Sequence, residues 1–323
     1  MTRLATAAAA LLAVAALGLP ATAAAKGEGP HLLVAGEGGL YAATGDGLVH
    51  RIDPATGRVS ATRRLGGFPA ALTPSGDALW AVHQPRRGRA RAVRLDAATL
   101  EPGPAVDGGR VAGMAAGGPG VVWLAAWSGR TLTGIDPGSG HVERRIRLPR
   151  GIAGIAVGGS TLWVTLYGRR PDEGAGRRRG PSALLVLDAA TGRRTAAPRT
   201  FRGRPRQLAA DGRGAWVRAG YRVLLGWDAR HRAPRRVRVT DDVAGLAIAP
   251  RAVWAQVYDR RRLLRIDRRD GSQRTVAANL GVFPSTVVTT AGSVWVADLM
   301  SRRVLRIDPA TGGTTARITL PRS

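Results

Sequence analysis

Short apolar runs rich in valine, leucine and alanine alternate with glycine and proline clusters, and no run keeps a helical period. One phrase recurs, in which an apolar run with an aromatic is followed by an apolar residue, an aspartate and a turn signal. The aromatics are Tyr41, Trp80, Trp123, Trp163, Trp216, Trp254 and Trp295, and the aspartates are Asp53, Asp96, Asp136, Asp188, Asp228, Asp267 and Asp308. Successive aspartates are 43, 40, 52, 40, 39 and 41 residues apart, which predicts seven copies of one unit with an insertion at 169–181.

Each unit is predicted to form four short strands, named a to d in chain order. In the third unit these strands cover residues 111–116, 121–126, 131–135 and 142–148, with glycine or proline between them. Seven such units predict an all-β seven-bladed β-propeller with four antiparallel strands per blade. The predicted blades cover residues 30–66, 67–108, 109–150, 151–201, 202–240, 241–280 and 281–323. Because no strand is exchanged between the first and last blades, packing between those blades should close the ring, unless the tail at 314–320 pairs with the N-terminal segment.

The recurring residues are interpreted as structural. Aspartate accepts hydrogen bonds from the backbone just beyond it, and glycine adopts the positive φ that ends the turn, as in DPATG at 53–57 and 308–312. An aromatic at one fixed place in strand b of each unit is the simplest filler between neighbouring sheets. Neither series is interpreted as catalytic or as a binding stripe.

The first 25 residues have the pattern of a signal peptide. Arg3 precedes an apolar run at 4–19, and small residues at 21–25 give an A-x-A cleavage pattern. The run has 16 residues, fewer than the roughly 20 that span a bilayer. We expect a secreted, soluble chain that begins at Lys26, with cleavage after Ala23 as the alternative.

Composition narrows the chemistry. With no cysteine, a lipoprotein anchor, disulfides and thiol nucleophiles are excluded. The formal net charge is +27, from 49 basic and 22 acidic residues, and every basic residue except Lys26 is arginine. The bias toward alanine, glycine, proline and arginine fits a GC-rich genome, so part of this excess reflects codon usage. Whatever its origin, such a field attracts polyanions.

The repeat resembles a known family. SVWVAD at 293–298 followed by VLRIDPATG at 304–312 is similar to the repeat of the virginiamycin B lyase-like and YVTN-type bacterial propellers, and TLWV at 161–164 and LRID at 264–267 match it less completely. The resemblance implies a ligand site over the central channel, on the face formed by the b–c and d–a loops. It leaves the activity open, because lyases, lactonase-like enzymes and proteins with no known reaction share the repeat.

Arginine is frequent in the loops of that face, so we expect an anion-binding surface there, since guanidinium groups bind phosphate, sulfate and carboxylate in bidentate fashion. The alternative is that these arginines form an ordinary solvated surface whose composition reflects codon bias. The anion-binding candidates are Arg86, Arg87, Arg169, Arg177, Arg178, Arg179, Arg206, Arg260 and Arg261.

Residues just after the strand-b aromatic or just before strand a are expected at the channel mouth. They are Trp127, Tyr167, Gln207, Tyr258, Ser285 and Thr286. Asp241, Asp242 and Asp298 are candidate ligands for a divalent cation, which prefers oxygen donors, and His83 is the catalytic candidate. The resemblance implies that a lyase-type site would need a metal held by acidic and histidine residues, but only His83 of the five histidines is well placed and no glutamate follows a strand-b tryptophan.

Two functions follow from these features. The favoured one is a secreted, monomeric binding or scaffold module that recognises an anionic polymer or acidic protein, needs no cofactor and binds nucleic acid only nonspecifically. The alternative is a metal-dependent lyase or lactonase-like hydrolase with a degenerate site. A protein–protein platform with a neutral ligand surface is a third reading, which the sequence does not separate from the first.

Overall fold

The computed structural model of the chain describes residues 29–85, 87–107, 112–168, 180–228, 233–258 and 261–322. Its strands form seven four-stranded antiparallel sheets, each built from four strands consecutive in the chain. The predicted all-β seven-bladed propeller is therefore confirmed. The predicted signal peptide at 1–25 lies outside the described residues. Within them, no helix is long and apolar enough to cross a membrane.

The strands of the first four blades are as follows. Blade one holds β1 (Pro30–Gly36), β2 (Gly39–Thr44), β3 (Leu48–Ile52) and β4 (Val59–Arg64), and blade two holds β5 (Phe68–Ser75), β6 (Ala78–Gln84), β7 (Arg91–Asp96) and β8 (Pro102–Asp107). Blade three holds β9 (Ala112–Gly118), β10 (Val121–Ala126), β11 (Thr131–Ile135) and β12 (Val142–Arg147), and blade four holds β13 (Ile152–Gly158), β14 (Thr161–Leu166), β15 (Ser182–Asp188) and β16 (Arg199–Phe201).

The last three blades repeat this arrangement. Blade five holds β17 (Gln207–Asp211), β18 (Gly214–Gly220), β19 (Val223–Asp228) and β20 (Arg235–Arg238). Blade six holds β21 (Val243–Ile248), β22 (Ala252–Val257), β23 (Arg262–Asp267) and β24 (Gln273–Ala277), and blade seven holds β25 (Pro284–Thr290), β26 (Ser293–Asp298), β27 (Arg303–Ile307) and β28 (Thr314–Thr319). The first strand of each blade contacts the first strands of both neighbouring blades, so these seven strands surround the ring axis.

The turns between strands c and d are held by their aspartates. The Asp53 Oδ1 accepts a hydrogen bond from the amide of Ala55 (2.8 Å), and the amide of Gly57 donates to the Asp53 carbonyl (2.8 Å). Gly57 has a φ of +73°, which a residue without a Cβ adopts at little cost. Hydrogen bonds from the backbone of Ala55 and from Thr56 hold the pKa of Asp53 below its usual range. The turn function inferred for these aspartates is therefore seen directly.

In blades one, two and three, the strand-b aromatic reaches the c–d turn of the next blade. The Tyr41 hydroxyl donates to the Ala97 carbonyl (2.7 Å), the Trp80 Nε1 to the Pro137 carbonyl (3.2 Å) and the Trp123 Nε1 to the Ala189 carbonyl (2.7 Å). In each case the acceptor is the residue that directly follows the turn aspartate. The two recurring features of the sequence are thus two halves of one contact between blades.

The turn glycine completes that contact. Gly192, with a φ of +70°, lies directly against the Trp123 indole, and a Cβ added there would be 2.6 Å from the ring atom Cη2. That distance is too short for any real side chain. The glycine therefore serves both the backbone conformation and the close approach of the two blades.

Side chains join the last blade to the first. The Ser285 Oγ donates to the Pro30 carbonyl (3.0 Å) and the Thr286 Oγ1 to the His31 carbonyl (2.8 Å). The Arg302 Nη1 lies 2.9 Å from the Asp46 Oδ2 in a pair that is mostly shielded from solvent. The strand β28 pairs with β27 and stays within its own sheet, so packing and not tail pairing closes the ring.

An apolar cluster fills the same junction between blades one and seven. Its members are Leu33, Ala35, Leu40, Ala42, Ile52, Val288, Trp295, Ala297, Val304, Ile318 and Leu320, all nearly excluded from solvent. Burial of this apolar area is the main favourable term at the junction, and the polar contacts above fix its register.

The Trp123 hydrogen bond should stabilise the fold measurably. In Trp123→Phe the Ala189 carbonyl loses its donor, whereas the buried Trp163 Nε1 has no partner among the described residues, so Trp163→Phe removes no hydrogen bond there. We expect the free energy of unfolding to fall by about 1 kcal/mol more in Trp123→Phe than in Trp163→Phe. Denaturant unfolding of both variants measures this difference, and equal losses would contradict it.

The Asp46–Arg302 pair should contribute stability that depends on pH. Partial burial opposes ionisation of Asp46, but hydrogen bonds from Thr44 and Arg302 hold its pKa below the usual range. Because this pKa is depressed on folding, the contribution is present at neutral pH and is lost as pH falls through the folded-state value. Asp46→Asn should lower the free energy of unfolding by about 2 kcal/mol at neutral pH and much less in acid.

The matched control for this pair is Asp77→Asn. Asp77 forms an ion pair with Arg94 (3.1 Å), but its side chain is 86% exposed. Its loss should change the free energy of unfolding by less than about 1 kcal/mol at any pH. Similar losses in both variants would mean that the Asp46 pair does not stabilise ring closure.

Candidate binding face

Alternation of strand direction divides the connections between two faces. The b–c and d–a connections lie on one face, here named the upper face, and the a–b and c–d connections lie on the other, the lower face. The seven turn aspartates all belong to the lower face. Its carboxylates are Glu37, Asp53, Asp77, Asp96, Glu101, Asp136, Asp188, Asp211, Asp228, Asp267, Asp270 and Asp308.

The upper face has the opposite balance. Its described arginines include Arg87, Arg89, Arg130, Arg150, Arg202, Arg204, Arg206, Arg222, Arg261 and Arg302, and its described carboxylates are Asp46, Asp107, Asp241, Asp242 and Asp298. The lower face also carries arginines, at Arg58, Arg193, Arg194, Arg213, Arg251, Arg268 and Arg269, but they are interspersed with the carboxylates of the turns. Among the connections between strands, the excess of positive charge is therefore on the upper face.

Carboxylates of the upper face are engaged within the fold. Asp107 pairs with Arg89 (3.0 Å), and Asp241 pairs with Arg262 (2.7 Å). Asp298 is 1% exposed. Because these few carboxylates are already engaged, most arginines of the face have no carboxylate partner among the described residues.

Asp298 organises the loop that precedes blade seven. Its Oδ2 accepts hydrogen bonds from the Val282 amide (2.9 Å) and the Ser301 hydroxyl (2.5 Å), and its Oδ1 accepts one from the Phe283 amide (2.8 Å). The Asp298 carboxylate thus holds the loop at 281–283 against the end of β26.

The predicted cation ligands have separate surroundings. Asp241 is bound to Arg262, Asp298 accepts the bonds just described, and the charge of Asp242 acts on Arg218. Within the described residues, no group of three or more histidine, aspartate or glutamate side chains is placed to hold a metal ion. The structure therefore does not bring the three aspartates together as one donor set.

Among the described residues, arginines are concentrated at the upper edge of blade five. We name Arg202, Arg204, Arg206, Arg218 and Arg222 the blade-five arginine cluster. Arg202, Arg204 and Arg222 are exposed, and the Arg204 guanidinium lies 5.9 Å from the centre of the Tyr167 ring. Three cations of the cluster are therefore at the surface, and one of them, Arg204, lies over an aromatic ring.

Arg218 is the buried member of the cluster. Only 8% of it is exposed, and its guanidinium donates hydrogen bonds to the Val243 and Gly220 carbonyls. Burial lowers the pKa of Arg218, the charge of Asp242 opposes this shift, and the charge of Arg206 adds to it. The Arg206 amide also donates to the Arg218 carbonyl (3.0 Å), so the two arginines are neighbours at this edge.

Most of the predicted anion-binding arginines fall outside the described residues. These are Arg86, Arg169, Arg177, Arg178, Arg179 and Arg260. Of the others, Arg87 is exposed, Arg206 is half-buried, and the exposed Arg261 donates to the Gly281 carbonyl (2.9 Å). All three lie on the upper face, where they were expected.

The predicted mouth residues differ in their surroundings. Trp127 and Tyr167 are half-buried. Gln207 is buried, and its Nε2 donates to the Ala244 carbonyl of the next blade. Tyr258 packs against Phe283 with 5.0 Å between ring centres.

The last two predicted mouth residues, Ser285 and Thr286, are buried hydroxyls that bond the backbone of β1. They hold the ring closed. Their position just before or within strand a was visible in the sequence, but their acceptors are about 255 residues away in the chain.

His83, the catalytic candidate, lies near the upper end of β6 and is 6% exposed. Burial lowers its pKa, the charge of Arg91 adds to that shift, and its Nδ1 has no hydrogen-bond partner. His31 lies in the neighbouring blade, and its Nε2 donates to the Pro69 carbonyl (2.7 Å). Both imidazoles belong to the packed interior below the upper face.

Sequence reasoning missed the apolar side chains of the upper face. The exposed large hydrophobic residues are Tyr221, Val282 and Met300, and all three lie in b–c or d–a connections of blades five to seven. Single apolar residues in polar loops carry no period, which is why no pattern identified them. Arg218 had a signal, because it is the only charged residue within the buried strand β18.

A groove on the lower face was also not foreseen. It lies between blades five and six and has a volume of about 630 Å³. Its lining comprises Arg213, Asp228, Pro250, Arg251, Asp267, Arg268 and Arg269. Arginines and carboxylates alternate there, and Arg268 is already paired with the buried Asp211, so the groove has little net charge to offer a ligand.

Comparison with known proteins supports the fold and stops there. No protein-family model matches the chain, and no curated protein matches it. The resemblance to virginiamycin B lyase-like and YVTN-type repeats therefore stays a prediction.

Several solved structures share the architecture. BamB from Moraxella catarrhalis is 17% identical, with a TM-score of 0.52 over 88% of this chain and 84% of that one. Hydrazine synthase from Kuenenia stuttgartiensis is 16% identical, with a TM-score of 0.70 over 88% and 97%. AztD from Citrobacter koseri is 14% identical, with a TM-score of 0.60 over 85% and 92%. At these identities the similarity shows the seven-bladed propeller alone.

Buried histidines should make the fold sensitive to mild acid. Burial lowers the pKa of His31 to about 4, although its bond to Pro69 opposes the shift, and burial also lowers that of His50 to about 4. A pKa depressed on folding contributes stability above the unfolded-state value of about 6.5 and loses it as pH falls toward 4. His31→Gln should therefore reduce the pH slope of the unfolding free energy in this window by up to about one proton.

The control for this slope is the exposed His141→Gln, which should leave it unchanged. The measurement is denaturant unfolding at several pH values between about 4 and 7. A wild-type stability that stays constant across this range would contradict the assignment of His31 as a neutral buried imidazole.

Proposed function

We propose that this propeller is an exported binding or scaffold module that recognises an anionic ligand or partner through its upper face. The observation that carries the proposal is the separation of charge between the two faces. Turn aspartates occupy the lower face in all seven blades, whereas the upper face combines many arginines with few carboxylates. The loops of the upper face therefore attract an anion more strongly than those of the lower face.

The blade-five arginine cluster supports the blade-five side of this face as the contact region. Three of its guanidinium groups are exposed, and a fourth, on the half-buried Arg206, lies near the buried Arg218. Guanidinium groups bind sulfate, phosphate and carboxylate oxygens through paired N–H donors, which makes a cluster of them suited to a multivalent anion. Nucleic acid would bind such a surface only as one more polyanion, without base recognition.

The setting of the proposal is extracellular. The basic start, the apolar run at 4–19 and the A-x-A pattern support export and cleavage near Ala25. A ring closed within one chain supports action as a monomer, because no second copy is needed to complete the sheets. The family resemblance adds a class of bacterial propellers to this picture without a defined ligand.

A salt series tests the proposal. Residues 26–323 and the variant Arg202→Ser/Arg204→Ser/Arg222→Ser are titrated with dextran sulfate at several salt concentrations. Each arginine that pairs with a sulfate contributes about one to the slope of log affinity against log salt. The slope of the variant should therefore be shallower by about two to three.

The matched control removes the same charge from the lower face. Arg193, Arg194 and Arg251 are exposed there, and replacing all three with serine leaves the upper face intact. Its slope should stay close to that of the wild type. Equal losses in the two triple variants would mean that the net charge alone attracts the polymer, and the directed face would be rejected.

A further inference from the structure

We infer that the natural occupant of the upper face is an acidic protein segment that carries large apolar side chains. This inference rests on the proposed anion-binding function and narrows it to one class of partner. It is based on a row of aromatic and apolar side chains with one arginine, here named the aromatic ridge, that crosses blades five, six and seven. The ridge consists of Tyr221, Arg218, Tyr258, Phe283, Val282 and Met300.

The ridge is continuous across three blades. The Arg218 guanidinium lies 5.8 Å from the centre of the Tyr221 ring, and its charge also acts on the Tyr258 hydroxyl. Tyr258 in turn packs against Phe283, with ring centres 5.0 Å apart and planes tilted by 57°. Backbone contact reinforces the first step, since the Val243 amide of blade six donates to the Tyr221 carbonyl (3.4 Å).

The ridge ends in blade seven at Val282 and Met300. The Leu299 amide donates to the Phe283 carbonyl (3.0 Å), and Val282 and Met300 each adjoin one member of this bonded pair. The two exposed side chains therefore come from loops that are fastened together.

Exposure of these side chains is unusual for this molecule. Tyr221 is 65% exposed, Val282 61% and Met300 57%, and they are the exposed large hydrophobic residues of the described chain. Elsewhere the large apolar side chains are buried in the clusters between blades. Three such residues on one face, joined by half-buried aromatics, form a patch that a partner would remove from water.

The loops beneath the ridge are held in place. Asp298 accepts the amide hydrogens of Val282 and Phe283, and the Tyr258 amide donates to the Asp242 carbonyl (2.9 Å). A surface fixed in this way loses little conformational entropy on binding, which favours affinity. The ridge therefore has the rigidity of a preformed docking site.

Chemistry and charge together select the partner. Tyrosine, arginine, phenylalanine and methionine are the residues enriched at the centres of protein interfaces. Arg206, Arg222 and Arg261 lie in the connections that flank the ridge, so carboxylates beside an apolar anchor would be complementary to it. A sulfated or phosphorylated polymer would satisfy the arginines and leave the ridge in water.

Two synthetic peptides of equal length and charge test the inference. Both alternate aspartate and glutamate, but one has two phenylalanines and a leucine where the other has three serines. Fluorescence anisotropy should show that the apolar peptide binds residues 26–323 at least about tenfold more tightly at the same salt concentration. Its affinity should also exceed that for dextran sulfate per charged group.

Variants locate that preference on the ridge. Tyr221→Ser/Met300→Ser should bind the two peptides with equal affinity, while the variant Tyr221→Phe/Met300→Leu, which keeps the apolar area, should retain the difference. Because both side chains are largely exposed, neither change should unfold the propeller, and thermal unfolding checks this.

The outcomes separate the two proposals. Equal binding of both peptides, with loss in the Arg202→Ser/Arg204→Ser/Arg222→Ser variant, would overturn the protein partner and leave the anion face standing. A polymer that binds more tightly per charge than the apolar peptide would do the same. Failure of both peptides and of the polymer to bind above a charge-matched arginine-rich control would overturn the anion-binding function itself.

Discussion

The bond from the aromatic of one blade to the turn of the next is the contact that joins blades one to four. The seven sheets share no strand, so no backbone ladder runs from one blade to the next. Side-chain contacts must therefore hold neighbouring blades together. An indole or phenol that crosses to the carbonyl after the next turn aspartate fixes both the spacing and the rotation of neighbouring blades. In these three cases donor and acceptor sit in successive repeats, whereas the Trp163 Nε1 has no partner among the described residues and the Trp295 Nε1 donates to Thr290 of its own blade (3.4 Å).

That requirement also shapes the electrostatics. Each c–d turn needs an aspartate, and parity of the strands places every one of them on the lower face. Arginine introduced at random would then leave the upper face basic, because nothing in its loops demands a carboxylate in every blade. The separation of charge is thus a consequence of the fold, and turn chemistry does not account for the aromatic ridge. The ridge is therefore the feature that indicates a specific partner.

The sequence predicted what is periodic and missed what is not. Seven aromatics and seven aspartates at regular spacing were sufficient for the blade count, the strand order and the structural role of the turns. The hydroxyls of Ser285 and Thr286 were expected at the channel mouth, yet their acceptors lie at the other end of the chain, and no local pattern reports a contact of that kind. The pairing of Tyr258 with Phe283 likewise joins two loops of different blades that only the closed ring brings together.

Blade five shows how the fold and the surface are connected. Six blades have a register shift near the upper end of their first strand, and β17 has none. The register partners Gln207 and Arg218 instead send their side chains to the carbonyls of Ala244 and Val243 in blade six.

A buried guanidinium is tolerated only where hydrogen-bond acceptors satisfy it. The regular register of β17 and the buried Arg218 therefore belong together. The same Arg218 supports Tyr221 on the outside and faces Tyr258 on the way to blade seven. In blade five, therefore, one side chain both bonds the neighbouring sheet and supports the exposed aromatic ridge.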